Sequence, residues 1–78
     1  MNYAQLTLQS NIRTLNHLAE LHGISCRYDC SINNDIFTIY LDDINCNRNI
    51  LASGDIILCT NILERHFLDE LYYEYIVL

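Results

Sequence analysis

The chain of 78 residues contains no lysine, no proline and no tryptophan, and it has only two glycines. Its four basic residues are all arginines, and ten acidic residues bring the formal net charge to −6. Binding to a phosphate backbone or to anionic lipid depends on clustered lysine and arginine, which four scattered arginines do not supply. The composition therefore disfavours direct contact with nucleic acid or with a membrane surface.

Long apolar runs are also missing, since no unbroken run exceeds four residues. A helix that spans a bilayer needs about 20 mostly apolar residues, and the first residues lack the basic and then apolar order of a secretion signal. We therefore expect neither a membrane span nor an export signal. Four cysteines are too few for a disulfide scaffold, so we expect free thiols and a location in the reducing cytoplasm.

What the chain does have is enough apolar material for a core. Hydrophobic residues make up 51% of it, which is typical of a packed globule rather than a disordered chain. A chain of this length forms one small domain. We expect residues 1–78 to form that single domain, with turns made by Asn, Asp, Ser and Gly because proline is absent.

The N-terminal residues carry the periodicity of an amphipathic helix, predicted over Tyr3–His22. Asn2 and Gln5 suit a reciprocal capping pair at its start, and Gly23 followed by Ile24 is typical of a left-handed C-terminal cap. Apolar positions recur at steps of three and four and mark one helix face: Ala4, Leu8, Ile12, Leu15, Ala19 and His22.

A change of period follows the first helix. Ile24–Ile32 alternates strictly between apolar and polar residues, which predicts a strand with one wet face. Asn33-Asn34-Asp35 supplies residues that tolerate a positive φ, and Ile36–Leu41 alternates again. The sequence therefore predicts a β-hairpin.

The next segment, Asp42–Asp55, is ambiguous. Its apolar residues would suit a third strand, but its asparagines and Ser53-Gly54-Asp55 are typical of caps and turns. We favour an irregular segment with a helical turn near Arg48–Ala52. The third strand is then expected at the β-prone run Ile56–Thr60.

A C-terminal helix is predicted to begin at Asn61, which forms a capping pair with Glu64. Its last turns, residues 72–77, also suit a strand. Its expected core face contains Phe67, Leu68, Leu71, Tyr75 and Leu78. The elements together predict a two-layer α+β fold of order α-β-β-β-α, with both helices packed on a small antiparallel sheet. The residues expected to be buried together are Leu15, Tyr28, Phe37, Ile39 and Leu71.

Candidate metal ligands and nucleophiles lack the required context. Cys26 and Cys30 share one face of a predicted strand, whereas structural zinc usually sits on chain-reversing knuckles. Asp42 and Asp43 lack the spacing of a calcium loop. His66 lies on the predicted last helix. A catalytic histidine activates a nucleophile that often sits on a tight glycine turn, and the sequence offers no such pair. We expect no metal, no cofactor and no catalytic residue, and therefore no enzymatic activity.

Acidic groups interspersed with tyrosine form the feature that points to a function. Carboxylates steer the encounter with a basic partner, and tyrosine supplies anchoring area. The alternative is a solvated face that only keeps the protein soluble. One acidic set lies opposite the core stripe of the last helix and comprises Asp69, Glu70, Tyr73 and Glu74. A rival set lies on the hairpin and its ends and comprises Asp29, Asp35, Asp42 and Asp43. The predicted partner-binding residues are Asp69, Glu70, Tyr73, Glu74, Asp42 and Asp43.

A short acidic α+β chain without a cofactor motif or export signal is similar to the small phage-encoded inhibitors, in particular the anti-CRISPR proteins. The resemblance covers composition across the whole chain and no motif, so it assigns no role to any residue. It implies an inhibitor in the host cytoplasm that occupies the basic nucleic-acid channel of an effector complex. Bacterial immunity proteins that neutralise a basic nuclease toxin share this profile.

Two further classes of function remain open from the residues. A self-associating module, or homodimer, would pack Tyr75-Ile76-Val77-Leu78 across a symmetry axis. A DNA-binding regulator is suggested because residues 11–25 resemble the first part of a helix-turn-helix. The segment that follows alternates as a strand and contributes only Arg27, so no recognition helix is expected.

Overall fold

The computed structural model describes residues 3–77 and has the predicted α+β architecture. Its elements are α1 (Tyr3–Leu21), β1 (Arg27–Asn33), β2 (Ile36–Asp42), β3 (Arg48–Gly54), α2 (Ile56–His66) and a C-terminal π-helix (Phe67–Val77). The strands form one antiparallel sheet in the order β1-β2-β3. α1 packs on β1, and α2 packs on β2 and β3, so the predicted order α-β-β-β-α is confirmed.

The end of α1 has the predicted glycine cap. Gly23 has a φ of 73°, its N–H donates to the Glu20 carbonyl (3.1 Å), and the Ile24 N–H donates to the Ala19 carbonyl (2.8 Å). This pair of bonds is a Schellman motif, and the Ile24 side chain closes it from a buried position. His22 lies beyond the helix end and is exposed, so its predicted place on the core face is wrong. Asn2, of the predicted N-terminal capping pair, lies outside the described residues.

The hairpin forms with a two-residue turn. Asn34 and Asp35 have φ values of 51° and 64°, and Asn33 pairs with Ile36 across the turn. Two successive positive φ values are those of a type I′ turn, whose twist matches the strands that it joins. The strand β1 begins three residues later than predicted because Ile24 is held by the helix cap.

The third strand is Arg48–Gly54, so both its predicted position at Ile56–Thr60 and the helical turn near Arg48–Ala52 are wrong. β3 pairs with β2, and the register shifts between Ile39 and Tyr40. Leu51 is the extra residue on β3, because Ala52 pairs with Ile39 and Ile50 with Tyr40. Such a bulge interrupts the alternation of sides along a strand. The interruption explains why the strand is hard to recognise in the sequence.

The run Ile56–Thr60 forms the first turns of α2. Asp55 is the N-cap of this helix, and its carboxylate accepts from the Leu58 N–H (2.8 Å). Asn61 therefore lies inside the helix, so the predicted capping pair of Asn61 with Glu64 is wrong. Helical spacing buries Cys59 and Leu63 on the inner face, and this burial outweighs the β-propensity of the run.

Beyond α2 the chain continues as a π-helix rather than a strand or an α-helix. Bonding from residue i to i+5 turns the chain by a smaller angle per residue than an α-helix does. The inward stripe accordingly recurs at steps of four and five: Phe67 and Leu71 are buried, and Tyr72 and Ile76 are partly buried. This shift of phase moves two residues of the predicted core face outward, since Leu68 is 47% and Tyr75 57% exposed. Leu78 lies outside the described residues.

The core lies between the helices and one face of the sheet. Its fully buried large side chains are Leu8, Ile39, Cys59 and Leu63. Of the five residues predicted to be buried together, Tyr28, Phe37, Ile39 and Leu71 are buried, whereas Leu15 is only partly buried at the edge of the core. Leu15 faces the side of α1 on which the C-terminal helix leaves a groove.

Burial differs between two leucines of the same helix, and this difference predicts their contributions to stability. Leu8 is 1% exposed, so Leu8→Ala should lower the free energy of unfolding by about 2–5 kcal/mol. Leu15→Ala should lower it by less, because the groove is already open to water at that site. Urea denaturation of both variants checks this, and an equal or larger loss for Leu15→Ala would contradict the assigned helix face.

Candidate protein-binding surface

The four predicted residues of the last helix lie together on its exposed side. Asp69, Glu70, Tyr73 and Glu74 are all exposed, and spacings of four and five residues place them side by side on a π-helix. Within residues 3–77, the only ion pairs shorter than 4.0 Å are those of Arg48, and they include none of these three carboxylates. We name these four residues the acidic helix face. Its three carboxylates are exposed and form no ion pair within residues 3–77, although Arg65 lines the same cleft as Asp69 and Glu70.

Tyr73 on this face is held by ring contacts that extend to the core. Its ring meets Tyr72 edge-on, with centroids 5.8 Å apart, and Tyr72 lies 6.1 Å from Phe67. Phe67 in turn lies 6.5 Å from the buried Tyr28. Tyr73 itself remains 54% exposed. One side of the Tyr73 ring is therefore packed against the protein, and the rest is accessible to a partner. This arrangement is typical of anchoring residues in interfaces.

The hairpin carboxylates are arranged differently, because an arginine already binds two of them. Arg48 donates to Asp42 (2.8 Å) and to Asp29 (2.9 Å), and its guanidinium lies 4.6 Å from the centroid of the Tyr40 ring. These hydrogen bonds lower the pKa of Asp42. The cluster lies on the sheet face that the helices leave uncovered. Its carboxylates are engaged by the protein's own arginine rather than free for a partner.

Asp43 serves the loop between β2 and β3. Its Oδ1 accepts from the backbone N–H groups of Asn45 and Asn47, each at 2.9 Å. Its backbone N–H donates to the Asn47 carbonyl at 3.1 Å. The two predicted hairpin residues, Asp42 and Asp43, thus have structural roles that the residues of the acidic helix face do not have.

Beneath the acidic helix face lies a polar contact that the sequence did not indicate. The hydroxyl of Tyr28 is hydrogen-bonded to Nδ1 of His66 at 2.9 Å. The backbone of Tyr28 is bonded twice by the Asn16 side chain, whose Nδ2 donates to its carbonyl (2.9 Å) and whose Oδ1 accepts from its N–H (2.7 Å). Asn16 is not part of the predicted apolar stripe of α1. Its side chain makes the two backbone hydrogen bonds that a neighbouring strand would otherwise make at the free edge of β1.

The ionisation of His66 depends on the partial burial of its imidazole. Desolvation lowers the pKa of His66, and the nearby Glu70 carboxylate acts in the opposite direction. Desolvation also raises the pKa of Tyr28. A neutral imidazole with a free Nδ1 lone pair accepts a hydrogen bond from the tyrosine hydroxyl, whereas a protonated Nδ1 donates one to the hydroxyl oxygen. Burial therefore favours the neutral form of each group, and either tautomer of His66 can form the contact.

The four cysteines are free thiols. Cys59 is fully buried and its Sγ donates to the Phe37 carbonyl at 3.2 Å. Burial raises the pKa of Cys59 and of Cys30, so both favour the protonated and less nucleophilic form. Within residues 3–77 there is no group of three or more His, Cys, Asp or Glu side chains that could hold a metal ion. The same residues contain no helix with the length and apolar character needed to cross a membrane.

Comparisons with protein-family models, with curated proteins and with solved structures find no match for this chain.

The contact between Tyr28 and His66 predicts a stability that depends on pH. Because the folded state lowers the pKa of His66 below the ordinary value of about 6.5, the unfolded chain binds a proton more readily. The stability contributed by the neutral imidazole should be present above pH about 6.5 and be lost as the pH falls below it. His66→Gln should remove this part of the pH dependence. Urea denaturation between pH 7.5 and 5 measures it, and equal slopes for both proteins would contradict the assignment.

Proposed function

We propose that this protein is a small inhibitor that binds a basic, nucleic-acid-binding surface of another protein through its acidic helix face. One observation supports this proposal above all. Asp69, Glu70 and Glu74 form no ion pair within residues 3–77 and lie around the supported Tyr73, while Arg48 already engages the competing hairpin carboxylates. A protein that used acidity only for solubility would have no need to group its free carboxylates around a supported aromatic ring.

The physical basis is electrostatic complementarity with a channel built to bind phosphates. A net charge of −6 attracts such a channel over roughly a Debye length, about 8 Å at physiological salt. Carboxylates that pair with its arginines and lysines then exclude the phosphate groups that normally bind there. Such a function needs no cofactor, metal or catalytic residue. The resemblance to anti-CRISPR proteins suggests a CRISPR effector complex in the host cytoplasm as the first partner to test.

A basic nuclease toxin presents the same chemistry, so an immunity protein is the alternative within this proposal. The two differ only in the partner. Purified effector complexes and purified nuclease toxins, each assayed for nucleic-acid binding with and without this protein, distinguish them.

Neutralising part of the acidic helix face should weaken inhibition. Asp69→Asn combined with Glu74→Gln should lower affinity for the partner roughly tenfold, about 1.4 kcal/mol. The main change should be a slower association rate, and it should shrink at high salt. Both residues are exposed, so the free energy of unfolding should change by no more than about 0.5 kcal/mol.

The matched control removes the same amount of charge elsewhere. Glu20→Gln combined with Asp35→Asn alters two exposed carboxylates outside the acidic helix face, and asparagine tolerates the positive φ of residue 35. This control should retain affinity within about twofold if the location of the charge decides binding. Equal effects of the two double variants would show that only the net charge acts, and the proposal would then be wrong.

A further inference from the structure

An apolar groove runs between α1 and the C-terminal helices. Leu15 and Leu18 of α1 form one wall, and Phe67, Leu68 and Tyr72 form the other. Its volume is about 460 Å³, within the usual range of roughly 300–1,000 Å³ for a site that receives a ligand. We name it the leucine groove. Glu64, on its rim, is the single charged side chain among its lining residues.

The side chains of this groove face water although they are apolar. Leu68 is 47% exposed, and Leu15, Leu18 and Tyr72 are only partly buried. The phase of the π-helix produces this exposure, because it turns Leu68 away from the core and leaves a gap beside α1. Covering these side chains would recover apolar area that the folded chain leaves in water.

The leucine groove adjoins the acidic helix face. Tyr72 lies in the groove, and its ring is in edge-on contact with the ring of Tyr73 at 5.8 Å. Glu64 extends the acidic character to the rim of the groove. The leucine groove and the acidic helix face therefore meet at the contact between Tyr72 and Tyr73, while Asp69 and Glu70 line a neighbouring cleft with Arg65.

We propose that the leucine groove receives the apolar side of a basic amphipathic helix of the partner. This inference rests on the proposed function and names the element that the acidic surface recognises. A groove between two helices suits a third helix, whose apolar residues at i, i+3 or i+4 and i+7 enter it. Lysines and arginines flanking those residues then meet Glu64 and the acidic helix face. A second copy of the chain would bring two charges of −6 together, with acidic residues facing the rim of each groove.

The experiment uses a probe of the proposed chemistry. A labelled 18-residue peptide of leucine and lysine, with leucine along one helical face, is titrated with the intact protein and followed by fluorescence anisotropy. A peptide of the same composition in scrambled order measures the contribution of charge alone. The amphipathic peptide should bind at least about tenfold more tightly than the scrambled one.

Matched protein variants locate the binding site. Leu68→Gln removes an apolar side chain of the groove without changing the charge, and should weaken peptide binding about tenfold. Ile57→Gln makes the same type of change at an exposed site, 71% accessible, that lines a different cleft beside Ala4, and should leave binding unchanged. Leu68→Met retains an apolar side chain of similar volume and should bind as the wild type does. Circular dichroism and thermal unfolding confirm that each variant is folded.

Equal binding of the two peptides, or equal binding by Leu68→Gln and the wild type, would overturn the groove assignment. Light scattering that shows a dimer which Leu68→Gln dissociates would also overturn it, because a second copy would then cover the groove. These failures are distinct from failure of the proposed function. If Asp69→Asn with Glu74→Gln still weakens partner binding while Leu68→Gln does not, the acidic helix face remains the binding site and only the groove is excluded.

Discussion

The structure depends most on how Tyr28 is held. Asn16 of α1 binds both backbone polar groups of this residue, His66 of α2 binds its hydroxyl, and its ring meets Phe67 of the π-helix. One residue on β1 thereby connects every helix to the sheet. In a small domain these bonds matter because each buried polar group without a partner costs about 1–3 kcal/mol. They also fix where the C-terminal helices lie, and therefore where the exposed face of the π-helix points.

Charge is divided between two parts of the molecule. Arg48 binds Asp29 and Asp42 on the outer face of the sheet and stacks on Tyr40. Pairs this exposed contribute little to stability, about 0–1 kcal/mol, so their main consequence is that one arginine offsets part of the charge of two carboxylates. The acidic helix face keeps its negative charge because none of the other arginines is ion-paired with it in residues 3–77. Under the proposed function, this division sets the side of the molecule that a basic partner would approach.

The proposed binding surface combines long-range and short-range effects. Under the proposal, free carboxylates act at a distance and are weakened by salt, whereas apolar burial in the leucine groove acts only on contact and is not screened by salt. Tyr73 lies where the two meet, supported through Tyr72 and Phe67 by the core. His66 links this surface to the core from below, since it is bonded to Tyr28 and lies near Glu70. His66, at the end of α2, therefore contributes to stability and supports the surface that is proposed for binding.

The sequence by itself determined the parts of the fold that depend on neighbouring residues. The stripe of α1, the glycine cap at Gly23 and the turn at Asn34 and Asp35 were readable because each follows from local spacing or from a tolerated positive φ. The negative charge and the exposure of Asp69, Glu70, Tyr73 and Glu74 were also readable, since a wide helix still turns them away from Phe67 and Leu71.

Only the tertiary structure decided the rest. The bulge at Leu51 interrupts the alternation of apolar and polar residues by which β3 could have been recognised. The run Ile56–Thr60 is helical because Asp55 caps it and Cys59 is buried in the core. Asn16 has a structural role because the edge of β1 lies beside α1. Arg48 engages the hairpin carboxylates, rather than those of the last helix, because strand pairing places it opposite Asp42. Each of these outcomes depends on which distant residues become neighbours, and the spacing of residues along the chain does not contain that information.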